Sequence, residues 1–181
     1  AISDVSGPAI VYAREGYTTG SNIIRAQNGG YNYLVEGVTL SEYLNEHGLI
    51  GPFILKLDTK GLEFDIIESV KPLVGRCIVV LLFEFGPGGQ GRQDFYKLFN
   101  YLLERYYLFD IYFLLYPSMI AQIEKRTLKK FYREVLERPY RYTDVLCISR
   151  DLKEVERLVD KLSCLKIPSV RGWYDRLEKS S

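Results

Sequence analysis

The chemistry-bearing residues that stand out are charges set into apolar runs. Phe53–Leu57 is apolar except for Lys56 and ends against Asp58, and the next such run, Cys77–Phe85, carries a single acid, Glu84. A charge inside an apolar strand costs free energy unless it is paired or serves a ligand. Strand alternation puts Lys56 and Asp58 on one face, with Asp58 at the carboxyl end of its strand and Glu84 near the carboxyl end of the next. In an open parallel sheet, ligands bind outside the carboxyl ends of the strands. Two readings follow. Lys56 forms a structural ion pair with Asp58 or Glu84, or the three groups face a ligand cleft in which a carboxylate orients a hydroxyl or accepts its proton.

Other patterns are weaker. Gly86, Gly88 and Gly91 match the spacing of a dinucleotide-binding loop, with Asp110 beyond them as the candidate ribose partner. Against that, Pro87 removes an amide, Glu84 puts negative charge beside the pyrophosphate position, and Asp110 falls early in its strand. His47, the one histidine, precedes Gly48 at a helix end, where a positive group suits the dipole, and no Gly-x-Ser-x-Gly elbow supports a hydrolase. Residues 125–141 hold seven basic and two acidic side chains interleaved with Phe131, Tyr132 and Tyr140, which reads as a solvated helix face or as a surface for RNA or an anionic substrate. Cys77, Cys147 and Cys164 show no Cys-x-x-Cys spacing, so they read as reduced packing residues of a cytoplasmic protein and no metal site is expected.

The elements that must position these groups alternate between strand and helix. Short runs broken by Gly16, Gly20, Gly29 and Gly30 suggest an irregular hairpin over residues 9–35. Thr39 and Glu42 form a capping box that opens a helix closed by Gly48. A strand over 53–58 is followed by a helix through Leu62, Ile66, Ile67 and Val70 that Pro72 stops, then by the strand 77–85. A helix over about 94–105, a strand over 107–115, a long amphipathic helix over 118–138, a strand over 144–149 and a charged closing helix from Asp151 complete the series. This alternation predicts an α/β fold with a doubly wound, mostly parallel sheet in one domain. With 181 residues, 47% of them hydrophobic and 26% charged, the chain can bury a sizeable core, and its net charge of +1 gives no global attraction to polyanions. Its apolar runs are about ten residues, too short to span a bilayer as a helix.

In order and spacing, Thr39–Leu44, Phe53–Glu63 and Val79–Glu84 resemble FkbM-like methyltransferases, whose pattern is a T-L-x-x-L helix, the strand motif I-K-x-D-x-E-G-x-E and a strand ending in glutamate. Ala1–Gly7 is similar to the family's A-x-x-D-x-x-G segment, which lies beside the cofactor adenine. The resemblance covers about residues 1–150. It implies a Rossmann-like methyltransferase fold and methyl transfer from S-adenosyl-L-methionine to a hydroxyl of a sugar, lipid or secondary metabolite. It also implies Asp58 as positioning group or base, supported by Lys56 and Glu63, with Asp4 and Ser3 toward the adenine and Glu84 and Lys60 toward the substrate. Two departures stand out: Lys60 replaces the family's glutamate, and the chain contains no Gly-rich D-x-G-A-N loop. The second suggests the C-terminal portion of a methyltransferase domain, weak cofactor binding, and an unpaired apolar edge at 53–58 open to self-association. A non-catalytic interaction module on the same sheet and a nucleotide-dependent enzyme of the NAD type are the competing readings.

Overall fold

The computed structural model describes residues 2–3, 6–14, 30–59, 61–87, 92–111, 120–138 and 141–164. The chain divides into two compact units, one formed by residues 1–51 and 59–72, the other by 52–58 and 73–181.

The first unit holds strands β1 (Ile2–Ser3), β2 (Gly7–Arg14) and β3 (Gly30–Thr39) and helices α1 (Leu40–Glu46) and α2 (Glu63–Ser69). β2 and β3 pair antiparallel from Gly7–Gly37 to Arg14–Gly30, as the expected hairpin requires, and β1 runs parallel to β3. Thr39 ends β3 and caps α1: its hydroxyl accepts from the Glu42 amide at 3.2 Å, and Glu42 Oε2 accepts from the Thr39 amide at 3.1 Å. The helix starts there because both orphan amides find acceptors.

The second unit is a five-stranded sheet in the order β4 (Phe53–Leu57), β5 (Ile78–Phe85), β8 (Thr143–Ser149), β6 (Tyr106–Asp110), β7 (Ala121–Ile123). One face carries Leu81, Phe83 and Phe85 of β5 with Val145 and Cys147 of β8, all buried. Helix α3 (Arg92–Arg105) lays Phe95 and Phe99 on this face, 5.1 and 5.2 Å from Phe85 between ring centroids, and α4 (Leu128–Glu137) adds Phe131 at 5.7 Å. Edge-on and tilted aromatic contacts of this kind add specific attraction to the area they bury. On the other face, Phe109 and Ile148 pack with Val155 and Val159 of α5 (Val155–Cys164). Helices therefore flank both faces of this sheet.

Two expectations are corrected. The sheet is mixed: β4–β5 is parallel, whereas β5–β8, β8–β6 and β6–β7 are antiparallel. β8 runs opposite to both its neighbours, so β4, β5 and β6 share one direction although three of the four pairings are antiparallel. The single long helix expected over 118–138 is, within the described residues 120–138, instead strand β7, a turn and α4 (Leu128–Glu137). Thr127 makes the turn, its hydroxyl accepting from the Glu124 amide at 3.0 Å and donating to the Glu124 carbonyl at 3.1 Å. The strand expected over 107–115 is described as Tyr106–Asp110, and the remainder of that run falls outside the described residues.

Candidate functional site

In the second unit, β4 delivers Lys56 and Asp58 to one face, and their side chains lie 3.9 Å apart between Nζ and Oδ2. They are 66% and 48% exposed, so the pair is open to water and contributes at most ~1 kcal/mol. An ion pair buried to tie strands together is thereby excluded for these two. The parallel register sets Leu57 against Phe83, which places Asp58 level with Glu84, and Glu84 is itself the register partner of Asp144 on β8. Three carboxylate residues thus stand at one level across β4, β5 and β8, on the sheet face that α5 flanks, at the end where β4 and β5 finish. Glu84 and Asp144 are half-buried and Asp58 is exposed, and each has further interactions of its own. Among the described residues no group of three or more His, Cys, Asp and Glu side chains is arranged to hold a metal ion.

In the first unit, Glu63 is 5% exposed and its role there is local. Oε1 accepts from the Thr59 amide at 2.8 Å and from the Thr59 hydroxyl at 3.1 Å, while Oε2 accepts from the Gly61 amide at 2.9 Å. The carboxylate thereby closes the turn that precedes α2. Gly61 sits at φ +117°, a conformation that side chains with a Cβ rarely adopt, so the Gly-x-Glu spacing is demanded by the turn itself. Ser3 is buried in β1, level with Thr39. Ser6 donates to Glu42 and receives the Thr39 amide at 3.2 Å. The hydrogen bonds to Glu42, from Ser6 first and then from Thr39, hold its carboxyl below the ordinary carboxylate range. Asp4 and Lys60, and residues 88–91 of the glycine loop, lie outside the described residues.

Asp110, the candidate ribose partner, is otherwise employed. Both of its oxygens meet Arg138, one Nη at 3.2 Å and the other closer, and Oδ1 also accepts from the Thr143 hydroxyl at 2.6 Å. This fork sits on the α3 and α4 side of the sheet, where it joins β6, β8 and the end of α4. A nucleotide ribose would have to displace a bidentate guanidinium. His47 bonds the Tyr43 carbonyl through Nδ1 at 2.9 Å and stacks on the Tyr43 ring, as a helix-end residue does.

The basic stretch at 125–141 resolves into a buried stripe of Leu128, Phe131 and Val135 and a charged outer face. Sequence reasoning missed two positions that shape this unit. Tyr106 is buried, and its hydroxyl accepts from the Gly75 amide at 2.7 Å and donates to the Ile78 carbonyl at 2.5 Å. Arg150 stacks on Tyr107 with its guanidinium 4.1 Å from the ring centroid. Neither residue belongs to a motif; a tyrosine pair, Tyr106 and Tyr107, at a strand start was the available signal for the first.

Among the described residues no helix is long and apolar enough to cross a membrane. No curated protein and no solved structure matches the chain. The family model described as the methyltransferase FkbM domain matches residues 5–109, a span that takes in the capped helix α1, Lys56, Asp58, Glu63, Glu84 and the start of β6. That match covers more than half of the sequence, and the chain belongs to the FkbM methyltransferase domain family.

Proposed function

We propose that the protein transfers the methyl group of S-adenosyl-L-methionine to a hydroxyl of a sugar, lipid or secondary metabolite, in the cytoplasm. The observation that carries this reading is Asp58: it lies within the family match, at the carboxyl end of β4, beside Lys56 and level with Glu84. The donor set fits the group chemically, since a row of carboxylates suits a cationic sulfonium and a hydroxyl nucleophile alike. The cofactor supplies an electrophilic methyl; the chain's task is to align the attacking oxygen and manage its proton.

Asp58 accepts a hydrogen bond from the substrate hydroxyl and takes its proton as the oxygen attacks. Lys56, its ion-pair partner at 3.9 Å, sets a positive charge beside that carboxylate. Glu63 fixes the turn that follows Asp58 in the sequence. Ser3 and Asp4 serve the adenine, and Glu84 and Lys60 contact the substrate, Lys60 bringing a cation where the family pattern has an acid. β4, the end strand of its sheet, offers an edge through which copies of the chain self-associate.

Calorimetric titration with S-adenosylhomocysteine, paired with methyl transfer from labelled S-adenosylmethionine to a panel of hydroxylated acceptors, tests this. Asp58→Asn should lower turnover by at least 100-fold while product binding stays within about twofold, the loss expected when a general base is removed. No saturable heat with the wild-type protein sinks the cofactor assignment. Unchanged turnover in Asp58→Asn with binding intact removes Asp58 from the chemistry.

A further inference from the structure

A concavity lies at the end of the sheet opposite Asp58, where β6 begins and β7 ends. Asn100 and Leu103 of α3, Tyr107 of β6 and Gln122 of β7 wall a groove of about 570 Å³, open to solvent. That volume is in the range of small-molecule sites, roughly 300–1,000 Å³. Its charges are unequally matched. Glu104 pairs with Arg105 at 3.1 Å, and Glu124 pairs with Arg126, so both acids of the lining are neutralised. Lys125 and Arg150 also line the groove and have no carboxylate partner among the described residues.

Arg150 is moreover fixed in place. Its guanidinium lies 4.1 Å over the Tyr107 ring, and Nε donates to the Leu103 carbonyl at 3.3 Å, so two contacts restrain the side chain. A guanidinium held in this way has already lost much of its rotamer freedom, so an anion that meets its fork gains two hydrogen bonds at little further entropic cost. Lys125 adds a second positive charge. Asn100 and Gln122 can both donate to and accept from hydroxyls, and the Leu103 and Ile123 side chains offer an apolar wall.

We propose that this groove binds the phosphate monoester of a sugar-sized hydroxylated molecule, with the phosphate on Arg150 and Lys125 and the hydroxyls on Asn100 and Gln122. It takes a different ligand at a different end of the sheet from the methyl-transfer reading and does not depend on it. The test is a ¹⁵N-resolved NMR titration of the full chain with glucose 6-phosphate, and with glucose and inorganic phosphate separately. Saturable shifts should centre on the amides of Leu103, Lys125 and Arg150 with the ester, be absent with glucose, and require at least ten times more inorganic phosphate. Arg150→Met, which keeps an apolar chain over Tyr107, should weaken the ester at least tenfold, and Lys125→Ala at least threefold. If Arg150→Met loses spectral dispersion, the exposed Lys125 variant decides. No saturable shift, an equal response to glucose or to inorganic phosphate, or unchanged affinity in Lys125→Ala overturns the proposal.

Discussion

Removing Arg138 would strand a carboxylate that the fold has taken out of water. Asp110 and Arg138 have side chains only 9% and 15% exposed, and the pair joins β6 to the end of α4 while Thr143 ties in β8. Breaking a buried pair from one side leaves an uncompensated charge and costs about 3–5 kcal/mol. Arg138→Met should therefore destabilise the protein by about that much in urea unfolding, and a loss below about 1 kcal/mol would show the pair to be solvated. Tyr106→Phe belongs to the same scale but is smaller: it removes the two hydrogen bonds of the hydroxyl while the Gly75 amide still donates to the Ile78 carbonyl at 3.2 Å, a loss of about 1 kcal/mol in the same assay. Burial holds the Tyr106 hydroxyl well above the ordinary phenol range, so this contribution is complete below about pH 10 and fades only as the unfolded-state tyrosine ionises above it. At this scale the positions of Lys56, Asp58 and Glu84 were readable: strand alternation sets the first two on one face, and the register sets Asp58 level with Glu84. Glu63 was reached only through the family resemblance, and its contacts with the amides of Thr59 and Gly61 were not, because only the folded turn brings those two within reach. For Asp110 the sequence spoke against a ribose partner but could not name the true one, because Arg138 is 28 residues away, outside any local motif.

Elements whose signals are local came through, and those whose period is ambiguous did not. The capping box at Thr39 and Glu42 is a complete specification within four residues, and the helix starts where it says. Ile120 and Ile123 fit a helical stripe, but residues 121–123 pair with β6 as a strand, and the Thr127 turn ends that strand before α4 begins. The cap also makes a pH prediction. Glu42 is held below its ordinary value of 4.5, chiefly by the Ser6 hydroxyl and then by Thr39, so its folded-state pKa lies below the unfolded one. The sign follows from linkage: the cap's contribution is present above the unfolded pKa and is lost as pH falls through the lowered folded value. NMR titration of the Glu42 carboxyl should give a midpoint beneath that of a peptide glutamate, with α1 amides losing protection only there. Ser6→Ala should move that midpoint upward more than any other single change around the cap, and a midpoint indifferent to Ser6 would refute the assignment.

For the whole molecule, alternation of strands and helices predicted an α/β arrangement, and what it could not predict was the place of β8. Nothing in Thr143–Ser149 states that it inserts between β5 and β6 instead of joining an edge; that choice follows from pairing Val80–Phe85 with Thr143–Ile148 and, on the other side, Tyr106–Asp110 with Val145–Ser149. The insertion has an energetic consequence. Leu81, Phe83, Leu108, Phe109, Val145 and Cys147 are all completely buried, so β5, β8 and β6 carry apolar cover along with their ladders. The β2–β3 ribbon of the other unit is differently placed: its described side chains include Ile10, Tyr33 and Leu34 at 43%, 53% and 77% exposed, and among them no apolar side chain is buried. A ribbon whose hydrogen bonds are not shielded by packed side chains opens at little cost, whereas a central strand opens only with the core. Native-state hydrogen exchange should accordingly divide the protein by strand. Amides of β5, β8 and β6 are expected to exchange slowest, with opening free energies close to that of global unfolding, and those of β2 and β3 at least 100-fold faster under the same conditions. Phe99→Ala, which removes a ring touching Phe83, Phe85, Phe95 and Phe131, should accelerate exchange in the central strands by the full loss in stability, about 3–5 kcal/mol, and leave the ribbon unchanged. Equal protection of ribbon and central strands in the unsubstituted protein would mean that the two units open together.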